Sequence, residues 1–596
     1  MALSRAAGLC RLALRTQWAV GRLLSSTAAG DGPPGDDKKR GRLVDLGALR
    51  RERALRPPAE RRQLAPTRKA TREQVQLNAD IGACASAEAV LGLVSSRLAV
   101  LNEVNAATAL MIISRRVGKN KAASWVSGDA RFAQLLGAAK SLFGQMAPYG
   151  LSNTLYACGQ LGVELPAEWL ERYWHASALI LGDFKPQELS NTLYACGQLD
   201  IMPPAEWLQR FWYVSGSKLG EFTEQGLSNT LYACGQLGIP PPAEWLQRYW
   251  HTSALKLGEF KPQESSNTLY ACGQLGIVPP ADWLQCYWHA SAPKFGKFMP
   301  QDFSNTMYVF GQLGVMPPAD WLEQYWRASV SKLGEFSDQE LSNTVYGCGQ
   351  LGITPPAEWL QRFWHASVLK LGNFIPQGLS NTLYACGQLG VTPPADWLQR
   401  FLDVSASTLG EFNERDLGTT MYACGQLGIT PPADWLQRYW QASAPKLGDF
   451  TEHGLSNTLY ACGQSGITPP ADWLQRYWHA SGSKLGEFTE QGLSNTLYAC
   501  GQLGITPPAG WLQRYWHASA LKLGEFKPQG LSQTLYSSGQ LGIVPPADWL
   551  QRYWHASGSK LGEFTEQGLS NTLYACGQLG ITPPAGWLQR YWHSSA

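Results

Sequence analysis

The amino-acid sequence predicts an all-α protein, an α–α superhelix (solenoid) of twelve 38-residue helix-turn-helix repeats. Three observations carry that prediction. The stretch LSNTLYACGQLGVELPAEWLERYWHASALILGDFKPQE begins at Leu151 and recurs at 189, 227, 265, 303, 341, 379, 417, 455, 493, 531 and 569 without insertion or deletion. Constant length over so many copies implies that each repeat stacks on its neighbour in one geometry, as solenoids require. The 596 residues exceed the ~250–300 at which a single core stops growing. Finally, the chain holds 25 Trp, and each ring brings ~150–250 Å² of largely apolar surface that must be buried.

Residues 1–30 contain Arg5, Arg11, Arg15 and Arg22, several Ser and Ala, and no acid before Asp31. This is the composition of an organellar transit peptide, which predicts a protein of the mitochondrial matrix or the chloroplast stroma. Arg22-Leu23-Leu24-Ser25 suits a mitochondrial processing site. Residues 31–70 mix Gly, Pro, Asp and Arg and read as a disordered basic linker. Residues 71–150 turn Ala- and Leu-rich and read as a helical N-terminal cap. Asn105-Ala106-Ala107-Thr108-Ala109-Leu110 within it looks like a decayed copy of the repeat.

Each repeat of 151–596 reads as two antiparallel helices. The first starts either with Pro (Pro186, Pro262, Pro300, Pro376, Pro528) or with a capping side chain and an acid (Thr223-Glu224, Ser337-Asp338, Asn413-Glu414). Both solutions suit a helix N-terminus. Leu151, Leu155, Cys158 and Leu161 then line one face at helical spacing, and Gly162 ends the helix. The second helix opens at Pro203-Pro204-Ala205-Glu206-Trp207, and Trp207, Leu208, Phe211 and Trp212 make a broad apolar face. Glu206 and Arg210 are expected to form an exposed i,i+4 pair, and Gly220 to close the helix.

Charge and composition exclude several functions. Residues 1–80 hold 17 Lys and Arg against 8 Asp and Glu, which leaves the remaining chain with a net charge of −6. The array is therefore not a basic protein, and electrostatics alone do not argue for nucleic acid. No apolar run reaches the ~18 residues of a membrane span. Ten cysteines recur at one position, from Cys158 to Cys576, with Phe310 and Ser538 replacing them in two repeats. None forms a CxxC pair, and they read as small packing residues. Eight histidines recur beside the second Trp (His175, His251, His289, His365, His479, His517, His555, His593). Tyr213, Arg327, Asp403 and Gln441 stand there in other repeats, a tolerance that fits exposed helix surface rather than a ligand set. No Ser/His/Asp set, phosphate loop or paired-carboxylate cleft occurs. The chain is read as a non-enzyme without cofactor or metal.

The repeat resembles the octotricopeptide repeat of green-algal organellar factors. That family carries a Pro-Pro-Pro-Glu-Trp signature and a first helix of the type SNTLW-A-L-x-x-LG. Here Pro241-Pro242-Ala243-Glu244-Trp245 departs by one Ala, and Leu189-Ser190-Asn191-Thr192-Leu193-Tyr194-Ala195 carries Tyr where Trp is common. The resemblance covers 151–596 and implies modular binding of single-stranded organellar RNA, acting on mRNA stability, RNA processing or translation. Many family members end in a RAP domain, a nuclease-like fold. This chain stops at Ala596, 28 residues into the twelfth repeat, where an uncapped repeat is expected to expose apolar surface.

Modular RNA-binding solenoids read about one base per repeat with two or three side chains. The candidate readers are an Asn and a Tyr on the first helix: Asn153 and Tyr156, Asn191 and Tyr194, Asn229 and Tyr232, Asn267 and Tyr270, Asn305 and Tyr308, Asn343 and Tyr346. The series continues with Asn381 and Tyr384, Thr419 and Tyr422, Asn457 and Tyr460, Asn495 and Tyr498, Gln533 and Tyr536, Asn571 and Tyr574. Asn can hydrogen-bond a base edge and Tyr can stack on it; Gln198 and its equivalents lie on the same face. The alternative is that Asn and Tyr only join neighbouring helices. Because these residues scarcely vary, either the target approaches a homopolymer or specificity lies in positions that do vary. Glu188, Gly226, Glu264, Asp302, Glu340, Gly378, Asp416 and Gly454 are such positions. Protein partners in a ribonucleoprotein complex fit the same architecture. A protein-binding scaffold of tetratricopeptide type is the rival reading, which the acidic balance favours.

Overall fold

The computed structural model describes residues 70–117 and 124–594; the leader at 1–30 and the linker up to residue 69 lie outside them. The described residues contain helices and turns and no strand. The chain divides into two compact bodies, Met1–Lys294 and Phe295–Ala596. The first holds the N-terminal helices and repeats 1–4, and the second holds repeats 5–12.

Within each body the repeats are helical hairpins stacked in two layers. In repeat 2 the first helix is Pro186–Leu199 and the second is Ala205–Lys218. Residues 71–150 form helices Arg72–Ala83, Ala87–Ser96, Glu103–Val117 and Ala130–Leu142, and the first helix of repeat 1 already starts at Pro148. The decayed copy around Asn105 lies on Glu103–Val117, which packs beside the first helix of repeat 1 as a preceding first helix would.

The helix starts follow the sequence. Thr223 accepts a hydrogen bond from the Gly226 amide at 3.1 Å. Ser337 and Glu340 form a reciprocal capping box. In the Pro-initiated helices an acid three residues on closes the cap, as the Lys185 amide donates to the Glu188 carboxylate at 2.7 Å. Repeats 1, 7 and 11 have neither device. The first helices end on Gly in the left-handed region, Gly162 at φ 61° for example. Asp200 takes that place in repeat 2 at φ 54°, as the one non-Gly residue with positive φ among those described. A Cβ in this conformation costs about 1 kcal/mol, so Asp200→Gly is expected to stabilise the first body and raise its melting temperature. Asp200→Ala should shift it the other way.

Two expectations for the second helix are corrected. Gly220 does not end it: the helix stops at Lys218 and passes through a tight turn, Leu219–Glu221, in which Gly220 has ordinary φ. The Glu206–Arg210 pair gives way to a bond from Arg210 to the Ala178 carbonyl of the preceding repeat, at 3.4 Å. The i,i+4 pair does form in repeats 1 and 6, at 3.9 and 3.8 Å, between exposed side chains.

The layers are held differently. First helices touch through Ala, Cys and Gly, so closely that a Cβ on Gly235 would lie 2.9 Å from Ala271 Cα. Second helices touch through indoles. Trp207 is buried, donates to Ser177 Oγ of the preceding repeat at 3.0 Å, and lies 5.2 Å edge-on from Trp174. Small residues bring backbones nearer than Trp does, so the first-helix row forms the tighter, inner side of each body. A lysine at the end of the second helix completes the joint: Lys218 Nζ donates to the Gly182 and Phe184 carbonyls of the preceding repeat at 2.9 and 2.6 Å. Lys256, Lys446, Lys484, Lys522 and Lys560 repeat that clamp.

Candidate nucleic-acid interface

Residues four, seven and eleven positions apart share one side of a helix. On the first helix of repeat 3 these are Gln225, Asn229, Tyr232 and Gln236. They lie opposite Leu227, Leu231 and Cys234, which are buried between the layers. The same stripe recurs from repeat to repeat, on the inner side of both bodies. The candidate Asn and Tyr positions therefore share one face, and Thr419 and Gln533 occupy it too.

The tyrosines form a ladder. Ring centroids are 6.3 Å apart for Tyr156–Tyr194 and Tyr194–Tyr232, and 6.2 Å for Tyr232–Tyr270, all in the first body. In the second body Tyr308–Tyr346, Tyr346–Tyr384 and Tyr384–Tyr422 are 6.0, 6.4 and 6.3 Å apart. Tyr460–Tyr498 and Tyr536–Tyr574 continue the pattern at 6.3 and 6.0 Å. The rings are half-buried, apart from the exposed Tyr574. Burial raises the phenol pKa of Tyr194, Tyr232 and Tyr384, and pushes that of Tyr308 up to about 12. These hydroxyls stay protonated at neutral pH and can donate. Some bond along their own helix, as Gln426 does to the Tyr422 hydroxyl at 3.0 Å.

The asparagines behave otherwise. Asn571 accepts a bond from Gln567 at 2.8 Å. Among the described residues, the amides of Asn191, Asn229, Asn267, Asn305, Asn343, Asn457 and Asn495 make no hydrogen bond within the chain, although each residue is half-buried. Asn153 and Asn381 are more deeply set. The reading in which Asn joins neighbouring helices does not hold for these side chains. Tyr, by contrast, does pack between repeats.

In the second body the stripes of repeats 8–11 border a common groove of about 370 Å³, lined by Tyr422, Gln426, Tyr460, Gln464, Asn495 and Gln533 among others. The stripe itself is nearly uncharged, and Glu490 and Lys527 also line the groove. Arg415, which replaces the leading Gln of the stripe in repeat 8, donates to the Tyr346 hydroxyl two repeats away at 3.5 Å. The leading Gln (Gln187, Gln225, Gln339) and Arg415 were not among the sequence candidates. Their position four residues before the Asn was the signal that marked them.

The variable positions stand at the helix starts, and in repeat 11 Gly530, at the same place, also borders the groove. Glu188, Asp302 and Asp416 are buried, as is Gly226. Glu188, Glu264 and Asp302 accept the amide of their own helix start at 2.7, 2.8 and 2.9 Å. The position also abuts the preceding repeat: Ser152 donates to the Glu188 carbonyl at 3.1 Å and Ser380 to the Asp416 carboxylate at 3.1 Å. Variation there tracks how the helix is capped.

The second-helix histidines whose side chains are described, from His175 to His555, are exposed. The described residues hold no cluster of three metal-ligating side chains. The ten repeat cysteines are free and buried, and burial pushes the Cys158 thiol up to about 12. Thiolate is the reactive species. A thiol reagent at pH 8 should therefore label the exposed Cys286 in the native protein and reach the repeat cysteines only on unfolding, as counted by mass spectrometry. No described helix is long and apolar enough to cross a membrane.

Residues 250–370 and 361–485 match the profile of the Tbc2 translation factor, N-terminal domain. No curated protein matches the sequence. Among solved structures, a homology model of the full-length AP-3 complex in an intermediate open conformation aligns with 8% identity and a TM-score of 0.34, covering 92% of this chain and 98% of that one. A pentatricopeptide repeat protein from maize aligns with 11% identity and a TM-score of 0.26, covering 92% and 95%. The chain is a helical-repeat protein that resembles, over residues 250–485, the N-terminal domain of the Tbc2 translation factor.

Proposed function

We propose that the protein binds single-stranded RNA along its first-helix face and acts, without catalysis of its own, in post-transcriptional control inside an organelle. The observation that carries this reading is the recurring row of Asn amides, without a hydrogen bond in the chain in seven repeats, beside a tyrosine ladder. An amide offers a donor and an acceptor to a base edge, and an aromatic ring offers a stacking surface to any base. The match to a translation-factor domain points the same way, and the Arg-rich, acid-free first thirty residues support an organellar address. The full chain titrated with labelled single-stranded RNA at low salt should bind. Absence of affinity for any such RNA would sink the proposal.

The acidic array, with its clamp lysines engaged by carbonyls, favours the rival reading of a protein scaffold. Salt dependence and crosslinking separate the two. An RNA complex on so neutral a face should show a shallow salt slope, about −0.7 per phosphate neutralised. Arg415→Gln restores the residue found at this place in repeats 4–7, and should flatten the slope by about 0.7. RNA recovered after crosslinking in isolated organelles is expected for the first reading and not for the second.

A further inference from the structure

We infer that the first-helix face reads a run of one repeated base, adenine, broken opposite repeat 8. The inference rests on the RNA-binding reading and narrows it to a ligand class. Two sources of specificity were open: the stripe itself, or the variable residues at the helix starts. The structure ties the second to helix starts and joints: Glu188, Asp302 and Asp416 are buried, and Glu188 and Asp302 cap their own helices. What faces a ligand is the stripe, and its chemistry is the same in repeat after repeat.

In the second body, repeats 5, 6, 7, 10 and 12 each present Gln, Asn, Tyr and Gln in that order. Repeat 9 opens with His453 and then continues unchanged. Repeat 11 substitutes Gln533 for Asn, which keeps an amide one methylene longer. Repeat 8 alone loses the amide, to Thr419, and places Arg415 at the head of the stripe. Identical side chains at identical positions cannot distinguish different bases, so a matched target repeats one base. A side-chain amide pairs with two prongs to adenine, accepting from N6 and donating to N7. That edge is open in a single strand. The 6.0–6.4 Å between the tyrosine rings that pair in this body is nearly twice the ~3.4 Å per nucleotide of a strand in a duplex. One nucleotide per repeat thus requires a drawn-out strand with its bases apart, the state in which amides can reach them.

The test is the affinity of the full chain for three labelled twelve-nucleotide RNAs: oligoadenylate, oligouridylate, and a mixed sequence with no two neighbours alike. Oligoadenylate is expected to bind at least tenfold more tightly than either of the others. Thr419→Asn should tighten oligoadenylate a further fivefold or so and leave the mixed sequence unchanged. A gain of this kind cannot arise from misfolding. Mixed RNA binding within threefold of oligoadenylate overturns the inference while leaving RNA binding intact, as does tightest binding of oligouridylate. No binding to any of the three overturns the RNA reading itself.

Discussion

Trp473→Ala should destabilise the second body by about 3–5 kcal/mol, the range for truncating a fully buried aromatic side chain. Trp473 is 1% exposed and lies stacked 5.3 Å from Tyr477 and edge-on 5.1 Å from Trp440 of the preceding repeat. Its indole N–H donates to Ser443 Oγ at 2.9 Å, so truncation also strips a buried hydroxyl of its donor. Repeats in a solenoid contact only their neighbours, and nothing distant compensates for the lost joint. Urea unfolding followed by circular dichroism should show the repeats around 8 and 9 melting at lower denaturant than in the parent protein. Trp473→Phe keeps most of the packing and loses the hydrogen bond, and should cost about 1–3 kcal/mol. Equal costs for the two variants would show that the Ser443 bond, rather than ring volume, holds the joint.

Tyr384→Ala should weaken binding of single-stranded RNA by about 1–3 kcal/mol, the measured value of one aromatic stacking contact, or roughly 5- to 150-fold in Kd. Tyr384 stands mid-ladder, 6.4 Å from Tyr346 and 6.3 Å from Tyr422. Its ring also packs between repeats, so melting temperature must be measured alongside affinity. Tyr384→Phe retains the stacking face and should bind within about twofold of the parent. Equally weak binding by the Phe variant would move the role from the ring to its hydroxyl. Unchanged binding by the Ala variant would remove the ladder from the interface.

Much of this was legible in the sequence because it is local or periodic. Pro186, Thr223 and Ser337 mark helix starts, and Gly162 marks an end, through contacts within a few residues. Trp207 and Leu189 announce the core by spacing alone. Glu206 and Arg210 misled because a partner in the preceding repeat was closer than the one on the same helix. The clamp lysines escaped notice since a Lys near a helix end reads as solvated surface until the carbonyls it reaches, 34 and 36 residues away, are in place.

By itself the sequence determined that the chain is a stack of two-helix repeats, where those helices begin, and which residues form the core. These follow from period, capping and apolar burial, all of which act over a turn or a repeat. Only the tertiary structure decided which of the recurring polar residues are consumed by the stack and which stay open. Lys218, Ser177 and Glu188 are taken up by the joints and caps, whereas Asn229 and Asn343 stand half-buried on the inner face without a hydrogen bond in the chain. The physical reason is that the neighbour of each polar group lies one repeat away. The offset between stacked repeats, which sets that pairing, is fixed by how closely Gly235 lets one backbone approach the next.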